Sequence, residues 1–439
     1  MEDQKPSKTL AILAVFAGLL LILSGCTAGV GYLGFAIFAF GGAETLIEEL
    51  SIIGAVALGL VGGGLAFVHG ANSLAGRHSA PIRLPPFYLF YLVFALVLGG
   101  GSALLVGRGA NRVDATLVQL VFPVLFILGA SLPVLAALAF AYRRLNWPVT
   151  WRQAALMFVS GGTLSIVVTF FLANLLPYLV YLLVEPLGYF TSEFLNLLDL
   201  GFSGLFERIF YSPLLIFYLI SIAVEAPFPE ELAKVLGPGL MRGRIRNERA
   251  AFALGLASGA GFAIVENMRY QGLFAQFYGW SWGGVTAIRG LGAIDHALWT
   301  AIIALAWYRE GERNPGWVGR VGRAYLFSVG LHTLWNGGYM AFLYFIGLDH
   351  LAGSGPSFSI YGEYIEISLV IILLAMTILN WAILIRYLKT LQTGEIAEPL
   401  PSHISPRALA GWAFAAVLIL VPLGAALGQA WPHIRAIFG

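Results

Sequence analysis

Two adjacent glutamates and a lysine stand in the most polar stretch of an otherwise apolar chain. The segment SIAVEAPFPEELAK, residues 221–234, places Glu225, Glu230, Glu231 and Lys234 within ten residues. A carboxylate can take a proton from water, and a neighbouring carboxylate can hold or share it. Glu230 and Lys234 are four residues apart and could form a structural ion pair on one helix face. That alternative leaves Glu231 buried without a purpose, so the pattern favours acid–base chemistry.

Three later segments carry further polar residues in apolar surroundings. GFAIVENMRY contains Glu266 and Asn267, AIDHALWTA contains His296, and GLHTLWNGGY contains His332 and Asn336. Ionisable residues are costly inside a bilayer, so each is a functional hypothesis. Histidine can protonate a leaving amine, and asparagine can donate to an oxyanion. Together with the glutamates, this set predicts hydrolysis by activated water, and no metal or other cofactor is expected.

Some of these polar residues also have structural explanations. Asn267 and Asn336 could join helices by hydrogen bonds, and His332 and Asn336, four residues apart, could satisfy each other. Asp295, beside His296, could be a structural partner for Arg289 or Arg269. Phe262 is expected to serve packing.

The elements that position these residues are expected to be transmembrane helices. The chain has 439 residues, of which 59% are hydrophobic and only 11% charged, whereas soluble domains carry about 25% charged residues. We expect an all-α polytopic bundle of about eleven spans, because each span needs about 20 apolar residues. The predicted spans are 9–40, 52–70, 87–106, 117–142, 154–184, 214–241, 250–272, 284–308, 321–347, 363–388 and 408–429. The first contains several glycines and is expected to be kinked or divided.

Basic residues set the expected orientation of the bundle. With eleven spans, the basic clusters all fall on one side, which predicts a cytoplasmic N-terminus. These clusters lie at 5–8, 143–152, 242–249, 309–323 and 386–389. The expected location is a bacterial cell membrane, with the protein crossing it several times. A net charge of +2 gives no reason to expect a nucleic-acid partner.

Three regions follow from the distribution of polar residues. Residues 1–213 form a five-span N-terminal region that includes an amphipathic segment at 185–213. Residues 214–347 form the catalytic core, and residues 348–439 form a C-terminal two-span region. Cys26 ends the motif LSGC, which resembles a lipoprotein cleavage signal, but the apolar run after it favours a first transmembrane helix.

Prolines predict an interruption in the sixth span. Pro227 and Pro229 lack a backbone N–H and disfavour helix before them, so the helix should break near 226–229 and restart at about Glu230. Counting back from the basic clusters places Glu230, Glu266, His296 and His332 at roughly 14–25 Å above the cytoplasmic edge. Groups from four spans at one depth predict a single buried cavity.

These four motifs, in this order, resemble the PrsW family of intramembrane proteases, which are related to the CAAX prenyl proteases. The family pattern is EExxK, then FxxxEN, then two histidines, the second followed by asparagine. Here it is represented by Glu230-Glu231-Leu232-Ala233-Lys234, by Phe262 through Glu266-Asn267, by His296, and by His332 with Asn336.

The resemblance implies a peptidase acting on a membrane-anchored protein, as in regulated proteolysis of an anti-sigma-like factor. By this resemblance, Glu230 and Glu231 would activate the water and Lys234 would set their charge. The remaining site residues would be Glu266, Asn267, His296, His332 and Asn336.

Three other functions are compatible with parts of the pattern. Glu266, His296 and His332 could hold zinc, since two histidines and one glutamate form a known catalytic set, although no HExxH motif is present. Carboxylates beside a broken helix are also found in proton-coupled transporters. No inverted repeat supports a transporter, and the intact set of glutamates, histidines and asparagines disfavours a scaffold without catalysis.

Overall fold

Helices make up the regular structure of the described part of the chain. The computed structural model describes residues 8–38, 46–173, 219–240, 245, 247–275, 281–310, 316–351 and 359–392. No strand occurs among these residues, where an isolated bridge joins Pro81 and Thr150. The helices are α1 (Lys8–Phe38), α2 (Leu46–Ala57), α3 (Gly63–Leu74), α4 (Phe87–Gly109), α5 (Ala115–Arg144), α6 (Trp151–Ser160), α7 (Pro227–Lys234), α8 (Leu236–Leu240), α9 (Glu248–Ala275), α10 (Ser281–Leu291), α11 (Asp295–Glu310), α12 (Trp317–Leu351) and α13 (Ser359–Gln392).

Seven helices in the described ranges are long and apolar enough to cross a membrane. They coincide with predicted spans two to five, seven, eight and ten, which confirms the all-α, multi-span prediction. Their bounds are Ile52–Leu74, Phe87–Gly109, Ala115–Arg144, Trp151–Ala173, Glu248–Gly272, Trp282–Glu310 and Ile371–Gln392. The total of eleven spans and the side of the N-terminus stay predictions.

The first predicted span, expected to be kinked or divided, forms one continuous helix, α1, so it is not divided into two pieces. The ninth predicted span lies within α12. The predicted span at 408–429 and the amphipathic segment at 185–213 lie outside the described residues.

Helix α9 lies at the centre of the core, with 94% of its most apolar window buried. Its glycines allow backbones of neighbouring helices to approach closely. A Cβ atom on Gly259 would lie 2.1 Å from the carbonyl oxygen of His296, and one on Gly261 would lie 1.9 Å from that of Phe158. These contacts fix the distance between α9 and its neighbours α6 and α11, and therefore the position of His296.

The sixth predicted span is interrupted as expected. The interruption is a wider, π-helical turn and not a break in the helix. Residues Ser221–Glu225 form a π-helical turn, in which the N–H of Ala226 donates to the carbonyl of Ser221 at 2.9 Å. Helix α7 then begins at Pro227, three residues earlier than predicted, where a missing N–H has no cost. Glu230 lies in the first turn of α7, as expected.

The C-terminal end of α7 is tied to two neighbouring helical segments by serine hydroxyls. Ser258 donates to the carbonyl of Lys234 at 2.7 Å, and Ser165 donates to the carbonyl of Ala233 at 3.0 Å. Pro238 cannot supply the N–H that would otherwise bond the Lys234 carbonyl. Ser258 therefore replaces this missing donor and fixes the helix that carries both glutamates.

Candidate active site

Six of the sequence-predicted side chains converge in one buried cluster. They come from four helices, α7, α9, α11 and α12, which agrees with the predicted single polar layer. Each is at most 8% exposed. The cluster consists of Glu230, Glu231, Lys234, Glu266, His296 and His332.

Glu231 is the best-bonded carboxylate of the cluster. Its Oε1 accepts a hydrogen bond from Lys234 Nζ at 2.7 Å and lies 2.9 Å from Nδ1 of His332. A carboxylate can only accept, so Nδ1 of His332 carries the proton in this pair. In the neutral imidazole, Nε2 of His332 is then left with a free lone pair.

Glu230 faces that lone pair with an oxygen that has no hydrogen bond. Its Oε2 lies 3.5 Å from Nε2 of His332 and 3.5 Å from Nζ of Lys234. Neither this oxygen nor Nε2 of His332 has a hydrogen-bond partner in the described structure. One water molecule could contact both atoms at ordinary hydrogen-bond distances.

His296 shows the opposite pattern of protonation. Its Nδ1 lies 2.7 Å from Nζ of Lys234. An ammonium group has no acceptor, so Nδ1 must accept and the ring proton must be on Nε2. Nε2 lies 2.5 Å from Oε2 of Glu266, without the alignment that a hydrogen bond requires. His296 therefore presents an N–H, whereas His332 presents a lone pair.

Arg289 is a member of the site that the sequence did not assign to it. Its guanidinium pairs with Glu266, and its Nε donates to Oδ1 of Asn267 at 2.8 Å. Asn267 in turn donates to the carbonyl of Ala130 on α5 at 3.1 Å. Arg289 also lies over the ring of Tyr270, 4.9 Å from its centroid. This network fixes the side chain of Glu266 beside His296.

Asp295 has a different partner from the arginines suggested by the sequence. Its Oδ1 accepts a hydrogen bond from Nδ2 of Asn380 at 2.9 Å, while Arg289 bonds to Glu266 and Asn267. Asn380 lies on α13, outside the segment 214–347 that was predicted as the catalytic core. Asp295 thus joins α11 to α13.

Asn336 lies beside the π turn and holds its backbone. Its Nδ2 donates to the carbonyl of Ile222 at 3.2 Å, and its buried Oδ1 has no partner in the described structure. In a π-helical turn, a carbonyl accepts from the N–H five residues later. For Ile222 that residue is Pro227, which has no N–H. The suggested mutual bond with His332 is not formed, since Nδ2 of Asn336 donates to Ile222 and Nδ1 of His332 bonds to Glu231, while Oδ1 of Asn336 and Nε2 of His332 have no partner in the described structure.

Aromatic rings enclose the cluster. Trp299 stacks on the ring of His332, with centroids 4.7 Å apart, and meets His296 edge-on at 5.2 Å. Lys234 Nζ lies 4.1 Å from the centroid of Phe262. Phe262 was expected to serve packing only, but it also contacts the central lysine by a cation–π interaction.

The described residues form several helices long and apolar enough to cross a membrane, and these enclose buried carboxylates, imidazoles and a lysine. These features define a polytopic membrane protein with a buried polar cluster. The model of the PrsW family intramembrane metalloproteases matches residues 149–375, slightly more than half of the chain. The chain therefore belongs to this family and is a membrane peptidase. No curated protein and no solved structure matches the chain. The resemblance drawn from four short motifs is confirmed.

The family description names a metal, and the cluster contains a set of suitable residue types. Glu230, His296 and His332 each place one ligand atom within 4.8 Å of the others. Glu230 takes the place that the sequence-based zinc alternative gave to Glu266. Catalytic zinc has three protein ligands, but the proton required on Nε2 of His296 by Lys234 leaves only two free donors. The ammonium of Lys234 also lies 3.5 Å from Glu230 Oε2. As arranged here, the residues do not fit a three-ligand metal site.

Proposed function

We propose that this peptidase hydrolyses a peptide bond of a membrane-anchored protein, with Glu230 as the general base. The observation that carries this proposal is the pair formed by Oε2 of Glu230 and Nε2 of His332, which are 3.5 Å apart, buried and without hydrogen bonds. Both atoms can accept a hydrogen bond from one water molecule. Bound to one side of this pair and donating one hydrogen to each atom, the water would keep an oxygen lone pair free to attack a carbonyl carbon.

The surrounding residues have distinct roles in this proposal. Glu231 is assigned as a positioning residue, because Lys234 and His332 hold its Oε1, although its Oε2 is also buried without a hydrogen bond in the described structure. It orients His332 so that Nε2 faces the water. Lys234 neutralises the glutamates and sets the protonation of His296.

The reaction breaks one O–H bond of water and the C–N bond of the substrate, and it forms a C–O and an N–H bond. Glu230 takes a proton from water as the water oxygen bonds to the carbonyl carbon of the substrate. The N–H of His296 Nε2 donates to the developing oxyanion, with Glu266 and Arg289 holding the ring in place. The C–N bond then breaks, and the proton held by Glu230 passes to the leaving amine.

The wider setting of this activity follows from the predicted topology. With a cytoplasmic N-terminus and eleven spans, the cluster lies in the membrane, within reach of a spanning or membrane-anchored segment. Regulated proteolysis of an anti-sigma-like factor in a bacterial cell membrane is the process we infer from the resemblance.

The proposal is tested by proteolysis of single-pass membrane proteins with the purified enzyme in detergent. Glu230→Gln should lower the cleavage rate by about 10²–10⁴-fold, the usual contribution of a general base. The matched control is Glu248→Gln, because Glu248 is an exposed carboxylate paired with Arg309. Thermal unfolding should show that the Glu230 variant stays folded. If Glu230→Gln and Glu231→Gln both cleave as fast as the wild type, the cluster is not the peptidase site.

A further inference from the structure

An apolar groove lies on the outer side of α7. It has a volume of about 510 Å³, and its apolar walls include Leu172, Val224, Phe228 and Leu232. The last three side chains are 43–49% exposed. In a bilayer such a surface faces the apolar part of the membrane. It lies on the helix that carries Glu230 and Glu231, so the groove and the reactive cluster share a wall.

Two acceptors from Glu225 interrupt this apolar surface. One is its side chain, whose Oε2 accepts from the hydroxyl of Ser221 at 2.5 Å, while its Oε1 is buried without a partner in the described structure. The other is its backbone carbonyl. In an α-helix this carbonyl would accept from the N–H of residue 229, but Pro229 has no N–H. The next N–H, that of Glu230, is already bonded to Ala226. Unsatisfied polar groups cost several kcal/mol each in a bilayer, so the partnerless Oε1 favours a donor from outside the helix.

Tyr325 connects the groove to the helix that carries His332. Its hydroxyl donates to the carbonyl of Phe228 at 2.8 Å, and its ring packs edge-on against that of Phe228. Tyr325 therefore joins α12 to α7 and forms one side of the groove. A segment lying in it would run alongside α7 towards the cluster.

We propose that this groove binds the substrate segment next to the cleaved bond and that Glu225 selects a basic residue there. The inference rests on the peptidase function proposed above. A lysine or arginine would pair with the Glu225 carboxylate, and a backbone N–H of an extended segment would bond its carbonyl. The apolar walls would take the neighbouring side chains of a membrane-spanning segment.

The distance from Glu225 to Glu230 limits where the basic residue stands. Five residues span about 7.5 Å along a helix, which equals roughly two residues of extended chain. The selected position should therefore lie about two or three residues from the cleaved bond.

The test uses single-pass substrates that differ at one position, with lysine, leucine or glutamate placed at each of the five residues on either side of the cleaved bond. The wild type should prefer lysine to leucine at one position by about tenfold in kcat/KM, equivalent to about 1.4 kcal/mol. Glu225→Gln should reduce this ratio to about one, and Glu225→Lys should favour glutamate at the same position. Glu248→Gln is the control and should retain the wild-type ratio.

A merely structural role of Glu225 would lower cleavage of all substrates by the same factor and leave the ratio unchanged, which would overturn the inference. Binding is measured separately, with a photo-crosslinking residue at Phe228 in the Glu230→Gln variant. Crosslinking that depends on the substrate lysine supports the groove even if the wild type cleaves nothing, in which case the peptidase proposal fails alone. Cleavage without this crosslinking and without lysine selection overturns the groove alone.

Discussion

Lys234 and His296 lie on different helices, and the lysine Nζ is 2.7 Å from Nδ1 of the histidine. The same ammonium bonds to Glu231 at 2.7 Å on its own helix. One side chain thus links α7 to α11 and determines which nitrogen of His296 carries the proton. The lysine is fully buried, so bulk water is not available to it as a substitute partner.

Replacing this lysine should damage both the fold and the activity. Lys234→Met removes the cation and leaves Glu231 and Glu230 as uncompensated buried carboxylates, which should cost about 3–5 kcal/mol of the free energy of unfolding. Cleavage should fall at least about 100-fold because His296 loses its fixed protonation. Thermal or denaturant unfolding in detergent and a cleavage assay measure the two effects.

Two further variants serve as controls for Lys234→Met: one at an exposed lysine, and one that also removes a buried carboxylate. Lys389→Met, at an exposed site near the end of α13, is the matched control and should change neither property. Lys234→Met combined with Glu231→Gln removes one orphaned carboxylate, so it should regain part of the stability while remaining inactive. Wild-type cleavage by Lys234→Met would contradict the proposed role of this lysine.

Metal chelation should leave the wild-type enzyme active. Because Lys234 requires the proton of His296 on Nε2, only two of the three candidate ligands, Glu230 and His332, have free donor atoms, which is fewer than catalytic zinc requires. We expect cleavage within about twofold of the untreated rate after chelation, and a metal content far below one ion per chain by elemental analysis. A zinc peptidase in the same detergent is the control.

The opposite outcome of the chelation experiment is equally informative. Loss of cleavage on chelation, with recovery on adding zinc, would show that Lys234 moves away from His296 in the active enzyme. Lys234→Ala offers a check that does not depend on activity. It removes the ammonium that blocks His296, so zinc should bind this variant more tightly than the wild type in a titration.

Hydropathy and motif order could predict the membrane helices and most members of the cluster. Long apolar segments have few alternatives to helix in a bilayer. An ionisable residue within such a segment stands out because placing it in the bilayer costs free energy. Glu266 and His332 are examples. Their grouping was predicted from a common depth in the membrane. That depth follows from the helical rise per residue and requires no knowledge of packing.

Other features depend on how helices rotate against each other, which one sequence does not specify. Arg289 could have paired with Asp295 by proximity in sequence, but the packing of α9 and α10 gives it Glu266 instead. Asn380 lies on a helix whose composition gave no sign of function. The π turn before Pro227 was expected as a break, because prolines show where a donor is missing but not which wider register compensates for it.

Replacing Arg289 by lysine should lower activity more than it lowers stability. Arg289→Lys keeps a positive charge near Glu266 but loses the second donor to Asn267, so Glu266 is no longer fixed beside His296. We expect kcat to fall about 10–100-fold, with a smaller change in KM. Arg289→Met should also lose about 3–5 kcal/mol of stability, because it leaves Glu266 buried without its cation.

Addition of Glu266→Gln gives a further check on this pair. The double variant Arg289→Met with Glu266→Gln removes the unpaired charge and should regain stability, measured by denaturant unfolding. If Arg289→Lys has wild-type kcat, the guanidinium fork is not needed to hold Glu266.

The close approach of α9 and α11 is testable with one methyl group. A Cβ on Gly259 would lie 2.1 Å from the carbonyl oxygen of His296 and 2.6 Å from the Cα of Ala297. Gly259→Ala must therefore push α11 away, which should cost at least about 1–3 kcal/mol of stability. A displacement of His296 by about 1 Å should also lower cleavage about 100-fold.

The control is Gly284→Ala on α10, where nothing lies within 4 Å of the added Cβ. Alanine favours helix over glycine by about 1 kcal/mol, so this control should be neutral or slightly more stable, and fully active. Equal behaviour of the two variants in unfolding and cleavage would mean that the α9–α11 contact does not position His296.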